Sequence, residues 1–338
     1  MPIQETPSLD RIYPLPPEMS RCVSDGKLPL VAVVGPTASG KTRRAVSLAR
    51  ALNAEIVSGD SRQVYRGMDI GTGKDMSEYG DVPVHLVDIC PPGYKYNLHE
   101  YLRDFARVEA DVRGRGRNMI LCGGTGMYVE AALAGLCMPE VPENTALRRS
   151  LAGRSLEELT AILATMKRLH NVTDVDTCAR AIRAIEIQTY YDAHPELREA
   201  ADRRTARPRD ALVVLVDISR DERRKRITER LDARLLEGME DEVRGLIKQG
   251  VSPEALEYYG LEYKYVTQCV TGKITREQMR HDLEIAIHQF AKRQMTWYRG
   301  MERRGFELHP VPWDLSETEF VGRVVELLAS SASQSGRG

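Results

Sequence analysis

Five short apolar runs rich in β-branched residues recur along the chain and predict the strands of a sheet. They cover Leu30–Val34, Ala54–Val57, His85–Ile89, Met119–Cys122 and Leu212–Val216. Helical patterns separate most of these runs; after the first one, for example, Ala45, Leu48 and Leu52 recur at helical spacing. Strands that alternate with helices are typical of a parallel sheet covered by helices on both faces. The predicted fold class is therefore α/β.

The interval from residue 139 to residue 208 has a different character. The long apolar runs stop, and mixed-charge helical patterns occur at 155–163 and 176–191 before the strand at Leu212 resumes the sheet. We interpret residues 139–208 as a helical subdomain inserted between two strands of one sheet. An ordinary crossover made of several helices is the alternative, and it would leave the function unchanged.

The remaining boundaries follow from the composition of the two ends. Residues 1–28 carry several prolines and no apolar segment, which predicts a flexible tail and no signal peptide. The sheet core then takes residues 29–138 and 209–320, with helices after the last strand. Residues 321–338 are predicted to be a helix end and a frayed tail, because Ser and Gly dominate from Ser330 onward.

Composition narrows the class of protein. The 338 residues are 42% hydrophobic, enough for a large core, and the formal net charge of −1 requires any nucleic-acid surface to be local. Six cysteines are scattered without a C-x-x-C pair, which predicts free thiols, with Cys90 and Cys122 buried in strands. No stretch approaches about 18 uninterrupted apolar residues. We expect a cytoplasmic monomer without membrane contact.

The first predicted strand leads into a glycine-rich loop that ends in Lys41 and Thr42. Its pattern, Gly-x-x-x-x-Gly-Lys-Thr, matches a P-loop, and the strand before it and the helix after it supply the context that this motif requires. Consecutive N–H groups would bind phosphate oxygens, Lys41 would add a positive charge, and Thr42 would offer a hydroxyl to Mg²⁺. An ordinary glycine-rich turn is the alternative. The predicted di- or triphosphate site consists of Gly35, Pro36, Thr37, Ala38, Ser39, Gly40, Lys41 and Thr42.

Two more polar clusters follow predicted strands. Asp60 lies in the segment Ser-Gly-Asp-Ser-Arg-Gln-Val-Tyr that ends at Tyr65, and Thr125 lies in a Gly-Gly-Thr-Gly segment. Carboxyl ends of parallel strands collect at one edge of a sheet, so both clusters are expected beside the P-loop. A carboxylate there could hold Mg²⁺ through water or act as a general base. The alternatives are a helix N-cap for Asp60 and a plain turn for the glycine cluster.

A basic helix near the C terminus carries adjacent aromatic residues. Between His288 and Arg304 there are five Lys or Arg residues and one acid, and Trp297 and Tyr298 are neighbours. Arginines follow phosphates and an aromatic face stacks on a base, a combination that suits RNA. The alternative is a solvated helix face, and for Trp297 alone a place in the core is favoured.

Taken together, five motifs resemble those of the tRNA dimethylallyltransferases, the bacterial isopentenylpyrophosphate transferase family. The resemblance covers about residues 30 to 313 and rests, in this order, on Gly35–Thr42, Asp60–Tyr65, His85–Asp88, Gly123–Gly126 and Lys292–Trp297. It implies a P-loop α/β core with an inserted helical domain that grips the anticodon stem-loop of tRNA. It also implies transfer of a dimethylallyl group from dimethylallyl diphosphate to the exocyclic N6 amine of the adenosine 3′ of the anticodon, with release of diphosphate.

The resemblance also implies roles for individual residues. Asp60 would take the proton from the attacking amine, Thr125 would orient that amine, and Arg220 would hold the diphosphate, with Mg²⁺ as the cofactor. For Arg180 and Arg183, three apart on one helix face, an ion pair with Glu186 is an equal alternative to RNA contact. The residues expected to contact tRNA are Ser61, Gln63, Tyr65, Arg180, Arg183, Lys292, Arg293, Gln294 and Trp297.

Two segments depart from the family pattern. The sequence Gly-Leu-Glu-Tyr-Lys at 260–264 stands where the family usually has Gly-Tyr-Lys-Glu, and Cys178 and Ala179 occur in an otherwise matching Arg-x-x-Arg-Ala-x-Glu segment. Both departures concern contacts with tRNA rather than the chemistry.

Two other classes of enzyme use similar parts. An adenylate isopentenyltransferase would perform the same transfer on free AMP or ATP, and a small-molecule kinase would use the P-loop for ATP. The long helical insert and the basic helix favour an RNA acceptor, and no phosphoryl-acceptor site can be assigned. A non-enzymatic RNA-binding module would leave the P-loop without a purpose.

Overall fold

A computed structural model of the chain describes residues 15, 17–136, 138, 140–169, 173–197 and 209–335. Within them, six strands form one sheet: Leu30–Val34 (β1), Ala54–Ser58 (β2), Val84–His85 (β3), Asn118–Gly123 (β4), Ala211–Asp217 (β5) and Leu308–Pro312 (β6). Their order is β3-β2-β4-β1-β5-β6, and every neighbouring pair is parallel. The predicted α/β class is confirmed.

The chain divides into two compact units, Met1–Leu133 with Pro208–Gly338, and Ala134–Arg207. The first contains the sheet. The described helices are Pro17–Ser24 (α1), Lys41–Ala51 (α2), Met76–Tyr79 (α3), Leu98–Gly114 (α4), Gly126–Leu133 (α5), Thr145–Leu151 (α6), Leu156–Met166 (α7), Cys178–Ala193 (α8), Arg220–Glu237 (α9), Met239–Lys248 (α10), Pro253–Tyr258 (α11), Leu261–Val270 (α12), Arg276–Arg303 (α13) and Glu317–Ser335 (α14).

The three central strands of the sheet are covered on both faces. Every residue of β1, β2 and β4 is buried, as expected for parallel strands between two helical layers. One face packs against α1, α2 and α14, where Phe320 and Val324 reach the core. The alternate residues face the other side, where α4 packs against β4. The carboxyl ends of these strands therefore meet at one edge.

Three expectations about the elements need correction. The strand expected at 85–89 is reduced to β3, because Leu86 and Asp88 have φ angles of 60° and 55°, which extended backbone does not allow. β6 pairs with β5 although no strand was predicted there. In the expected flexible tail, α1 buries Met19 and Val23 against the core. Residues 1–14 and 16 of that tail lie outside the described residues, as do 336–338.

The second unit has a small core of its own. Leu159 and Leu163 of α7 pack against Ala181 and Ile185 of α8. The neighbouring Glu186 side chain is buried, and its carboxylate accepts hydrogen bonds from the backbone N–H of Asn144 at 2.6 Å and from the Arg148 guanidinium. Its function as a tRNA-binding insert over 139–208 stays a prediction.

Polar groups at the amino ends of the strands are fully engaged. Glu55 of β2 is buried, and its carboxylate accepts hydrogen bonds from the Arg115 guanidinium and contacts His85 at 2.7 Å. Arg115 and, less strongly, His85 hold the pKa of Glu55 at about 2 although burial opposes this. Asn118 accepts a hydrogen bond from the N–H of Leu28 and donates two to backbone carbonyls. At this end of the sheet, the Glu55 and Asn118 side chains therefore have hydrogen-bond partners within the protein.

Two findings concern composition. Cys90 and Cys122 are buried free thiols, as predicted, whereas Cys178 is exposed and Cys137 lies outside the described residues. None of the described helices combines the length and the apolar character needed to cross a membrane.

Candidate active site

A cavity of about 1040 Å³ opens at the carboxyl edge of the sheet. The loops that follow β1, β2 and β4 form its floor and bring Lys41, Asp60 and Thr125 to the same space. Helices α9, α11, α12 and α13 form further parts of the wall, together with residues between 71 and 79. The three polar clusters that the sequence places after strands thus line one cavity.

The loop after β1 has the backbone of an anion site. Ala38 and Gly40 have φ angles of 62° and 76°, and α2 begins at Lys41, so N–H groups at the start of the helix face the cavity. Burial lowers the pKa of Lys41, although Cys122 and Asp60 oppose this. The Cys122 thiol lies in the same cavity, and burial raises its pKa to about 12. A half-buried lysine at a helix N-terminus favours a multiply charged anion.

Asp60 and Thr125 are held next to each other by close contact between two strand ends. A Cβ atom at Gly123 would lie 2.4 Å from the backbone of Gly59, so only glycine allows this approach. The Thr125 hydroxyl accepts a hydrogen bond from the N–H of Ser61 at 3.1 Å. The Asp60 carboxylate accepts one from the N–H of Arg62 at 2.9 Å, which fixes it in the turn.

Helix α13 ties these loops together. The Gln294 side chain accepts a hydrogen bond from the N–H of Thr37 at 2.9 Å and donates one to the carbonyl of Gly124 at 2.8 Å. The Tyr298 hydroxyl accepts from the N–H of Gly35 at 3.3 Å and lies 3.1 Å from the carbonyl oxygen of the same residue. The positions of the P-loop and of the glycine cluster are therefore set by one helix.

Three arginines of α9 line the cavity at four-residue spacing. Arg226 lies near the P-loop, with Nη2 3.9 Å from an ideal Cβ at Gly40. Arg230 and Arg234 cover the turn at Gly73, and burial lowers the pKa of Arg234 to about 10. None of the three has a carboxylate within ion-pair distance among the described residues. They are available to a ligand.

Two charged residues that the sequence analysis missed hold the wall at residues 69–74. Glu242 accepts hydrogen bonds from the N–H groups of residues 69, 70 and 71 and from the Tyr263 hydroxyl. The Lys74 side chain is buried and donates to the carbonyl of Tyr65 at 2.8 Å and to the carboxylates of Asp69 and Asp88. No motif marks Glu242, because its backbone partners lie 171 to 173 positions away in the sequence.

Comparison with known proteins identifies the family. Residues 63–301 match the family model "IPP transferase", and residues 28–79 match "Isopentenyl transferase". A protein of Parabacteroides distasonis named tRNA dimethylallyltransferase 1 is 53% identical over 303 residues, which are 88% of this chain and 97% of the relative. The chain belongs to the IPP transferase family. A Porphyromonas gingivalis relative of the same name is also 53% identical, over 89% of this chain and all of that protein.

Solved structures agree on the fold of this family. The tRNA isopentenylpyrophosphate transferase of Bacillus halodurans matches 92% of this chain and 99% of its own, with a TM-score of 0.67 and 28% identity. A eukaryotic dimethylallyltransferase, described as acting on tRNA, matches 91% of this chain and 80% of its own with a TM-score of 0.74. At 21% identity, the latter likeness concerns the fold alone.

Most of the site residues predicted from the P-loop motif and from the family resemblance line the cavity. They are Thr37, Ala38, Gly40, Lys41, Thr42, Asp60, Ser61, Gln63, Thr125, Arg293, Gln294 and Trp297. Gly35 and Ser39 also belong to the P-loop but are not among the cavity residues, and a Cβ at Gly35 would lie 2.9 Å from the Ser39 hydroxyl. Trp297 is 39% exposed and packs on Gly126, so the interpretation as a core residue is wrong.

Three predicted contacts need correction, and a fourth stays a prediction. Tyr65 is buried and its ring packs edge-on against Tyr259, so it does not reach a ligand. Gln294 uses both ends of its amide to hold the loops. Arg220 is exposed at the first residue of α9 and is not among the cavity residues, whereas Arg226 is. Lys292 is also exposed and outside the cavity, and its contact with tRNA stays a prediction.

The two arginines of the second unit are engaged in ion pairs. Arg183 pairs with Glu186 and donates to the carbonyl of Val141 at 2.9 Å. Arg180 pairs with Asp176. These contacts favour the alternative of pairing within the unit for Arg183.

The segment that departs from the family pattern lies in the cavity wall. Gly260, Leu261, Glu262 and Lys264 all line it. Burial raises the pKa of Glu262, while Arg234 and Arg230 lower it. The spacing of Arg226, Arg230 and Arg234 was the available signal for this side of the cavity, because residues four apart share a helix face.

Proposed function

We propose that this chain transfers a dimethylallyl group from dimethylallyl diphosphate to N6 of the adenosine 3′ of the anticodon in tRNA, releasing diphosphate. One observation carries the proposal: Lys41 of the anion-binding loop and Asp60, a carboxylate, line the same cavity. A donor with a diphosphate leaving group and an acceptor with an ionisable N–H need those two groups. Membership of the IPP transferase family supports this reading.

The anion-binding side would stabilise the leaving group. As the allylic C–O bond breaks, negative charge grows on the diphosphate oxygens. The N–H groups at the start of α2, together with Lys41 and Arg226, are fixed donors where that charge develops. We assign to Arg226 the role that the sequence placed on Arg220, because a planar guanidinium in the cavity suits two phosphate oxygens.

Asp60 would take the proton from the attacking amine. Its carboxylate is anchored by the N–H of Arg62, and the neighbouring Thr125 hydroxyl is positioned by the N–H of Ser61. A carboxylate held within reach of the amine removes the proton as the new C–N bond forms. Thr125 would orient the amine toward it.

Mg²⁺ fits this site as a partner of the diphosphate. No described cluster of three His, Cys, Asp or Glu side chains could hold a metal alone. The Thr42 hydroxyl and the Asp60 carboxylate do line the cavity, and Mg²⁺ commonly uses few protein ligands with substrate phosphates completing its shell. When bound, it would supply further charge neutralisation at the leaving oxygens.

Substitution of Asp60 tests the proposal. We expect Asp60→Ala to lower prenyl transfer to an anticodon stem-loop by roughly two orders of magnitude or more, with RNA affinity nearly kept. Asp75→Asn is the matched control, since this carboxylate lines the same cavity without a proposed role. Radiolabelled transfer and a separate binding titration give the two readouts. Near-normal turnover of Asp60→Ala would remove Asp60 from the mechanism.

The alternatives predict other products. An adenylate isopentenyltransferase would prefer AMP or ATP over the stem-loop in a competition for labelled prenyl groups, and a kinase would release phosphate from ATP. Mass spectrometry of tRNA nucleosides from cells with and without the protein would identify the acceptor in vivo. The cytoplasmic location and the monomeric state also stay proposals, which fractionation and light scattering would test.

A further inference from the structure

Exposed aromatic rings are concentrated at the mouth of the cavity. Among the described residues, the exposed aromatic side chains are Tyr94, Tyr258, Phe290 and Trp297. The last three line the cavity, with exposed fractions of 54%, 38% and 39%. Exposed rings at one opening are available to a ligand that extends out of the cavity.

An arginine lies over each of these three rings. Arg62 lies 5.5 Å from the centre of Tyr258, Arg293 5.8 Å from Phe290 and Arg304 5.5 Å from Trp297. Tyr94, which lies outside the cavity and bonds Glu100 through its hydroxyl, has no such arginine among the described residues. Arginines also lie over the less exposed rings of Phe105, Trp313 and Phe320 elsewhere in the fold. Among the exposed rings of the described residues, however, the pairing with a guanidinium occurs only at the cavity mouth.

The three pairs differ in how firmly they are held. Arg304 forms an ion pair with Glu130 of α5, and the Trp297 ring packs on Gly126, so this pair is fixed. Arg62 and Arg293 have no carboxylate partner among the described residues, and their guanidinium groups are free to bind an anion. We call Tyr258 with Arg62, and Phe290 with Arg293, the two open stations.

We propose that the open stations bind the unpaired nucleotides next to the acceptor adenosine, with each ring stacking on a base and each arginine contacting a phosphate. This inference rests on the proposed function for the identity of the RNA. A protein partner would need a continuous apolar patch, whereas a guanidinium over every ring opposes apolar docking and suits a polyanion with flat bases. Stacking there would offset the cost of taking the adenosine out of its own stack.

Removal of each ring tests the open stations. We expect Tyr258→Leu and Phe290→Leu each to weaken binding of an anticodon stem-loop roughly tenfold, as for the loss of one stacked base. Tyr94→Leu is the matched control, because it removes an equally exposed ring that lies elsewhere, and its affinity should equal that of the wild type. Binding of a fully paired RNA duplex should be unchanged in all variants.

Arg62 supplies a second readout. If Arg62 and Tyr258 bind the same nucleotide, their contributions to affinity should not be additive. The double variant Arg62→Ala/Tyr258→Leu should then bind the stem-loop with nearly the same affinity as the weaker of the two single variants. Additive losses, or equal affinities of Tyr258→Leu, Phe290→Leu and Tyr94→Leu for the stem-loop, would overturn the proposal. Failure of the wild type to transfer prenyl groups to a stem-loop that it binds would instead refute the proposed function.

Discussion

Charged side chains at the two ends of the parallel sheet differ in whether they have ion-pair partners. At the amino ends, the Glu55 carboxylate is matched by Arg115 and His85. At the carboxyl ends, Lys41 and Glu262 share a cavity without an ion pair among the described residues. The pKa shifts follow: that of Glu55 is lowered by its partner, whereas burial raises that of Glu262 and lowers that of Lys41.

The difference separates charges that stabilise the fold from charges kept for a ligand. A buried charge with good partners costs little and its removal is destabilising, whereas a buried charge without partners already costs stability. The unpaired charges at the carboxyl edge are therefore explained by ligand binding and not by a contribution to the stability of the fold. Substitutions at the two ends should have opposite consequences.

The largest effect is expected for Lys41→Met. Loss of one fixed charge at the leaving group should lower prenyl transfer by roughly two to three orders of magnitude. Its melting temperature should equal or exceed that of the wild type, because the variant no longer holds an unpaired ammonium group in a half-buried position. Steady-state transfer assays and calorimetry provide the two measurements, and a clearly lowered melting temperature would contradict the division between the two ends.

An intermediate effect, on stability alone, is expected for Glu55→Gln. Loss of the carboxylate removes the partner of His85 and one of the two carboxylate partners of Arg115, which keeps Asp111, and should cost about 2 kcal/mol of unfolding free energy. Because the folded pKa of Glu55 is about 2, its stabilisation is present above pH 4.5 and is lost as the pH falls toward 2. The stability difference between variant and wild type in denaturant titrations should therefore shrink over that range. Transfer by the folded variant should be normal.

The smallest effect is expected for Glu262→Gln. A carboxyl group whose pKa is raised by burial begins to destabilise the fold as the pH rises above the pKa of an ordinary glutamate, and the loss is complete above its folded pKa. Replacing it with a neutral amide should raise the unfolding free energy at neutral pH by about 1 kcal/mol, and the gain should vanish below the pKa of an ordinary glutamate. An unchanged or lower stability of Glu262→Gln at pH 7.5 would show that Glu262 has a partner.

Local patterns in the sequence were sufficient for the fold and for the floor of the cavity. The apolar runs give four of the strands, and the loops after three of them carry Lys41, Asp60 and Thr125. These are local signals, because a strand and the turn that follows it are contiguous in the chain. The length of β3 was overestimated because the pattern of apolar residues does not indicate the positive φ angles at Leu86 and Asp88.

The walls of the cavity depend on contacts between distant segments and were harder to predict. Tyr65 lies in the same motif as Asp60, yet its ring turns into the core against Tyr259. Arg220 and Arg226 are both arginines of one helix, and only the way α9 packs decides which of them lines the cavity. Tertiary packing decides which of these side chains lines the cavity, and a short window of sequence does not contain that information.

The bridge that Gln294 makes between Thr37 and Gly124 has a consequence for biosynthesis. During translation the P-loop emerges long before this glutamine, which is some 257 positions further along the chain. A nascent polypeptide released before α13 is made should keep its strand-forming segments. Its P-loop, however, should not be held in the conformation that binds phosphate. The enzyme therefore acquires its capacity to hold substrate only near the end of its own synthesis.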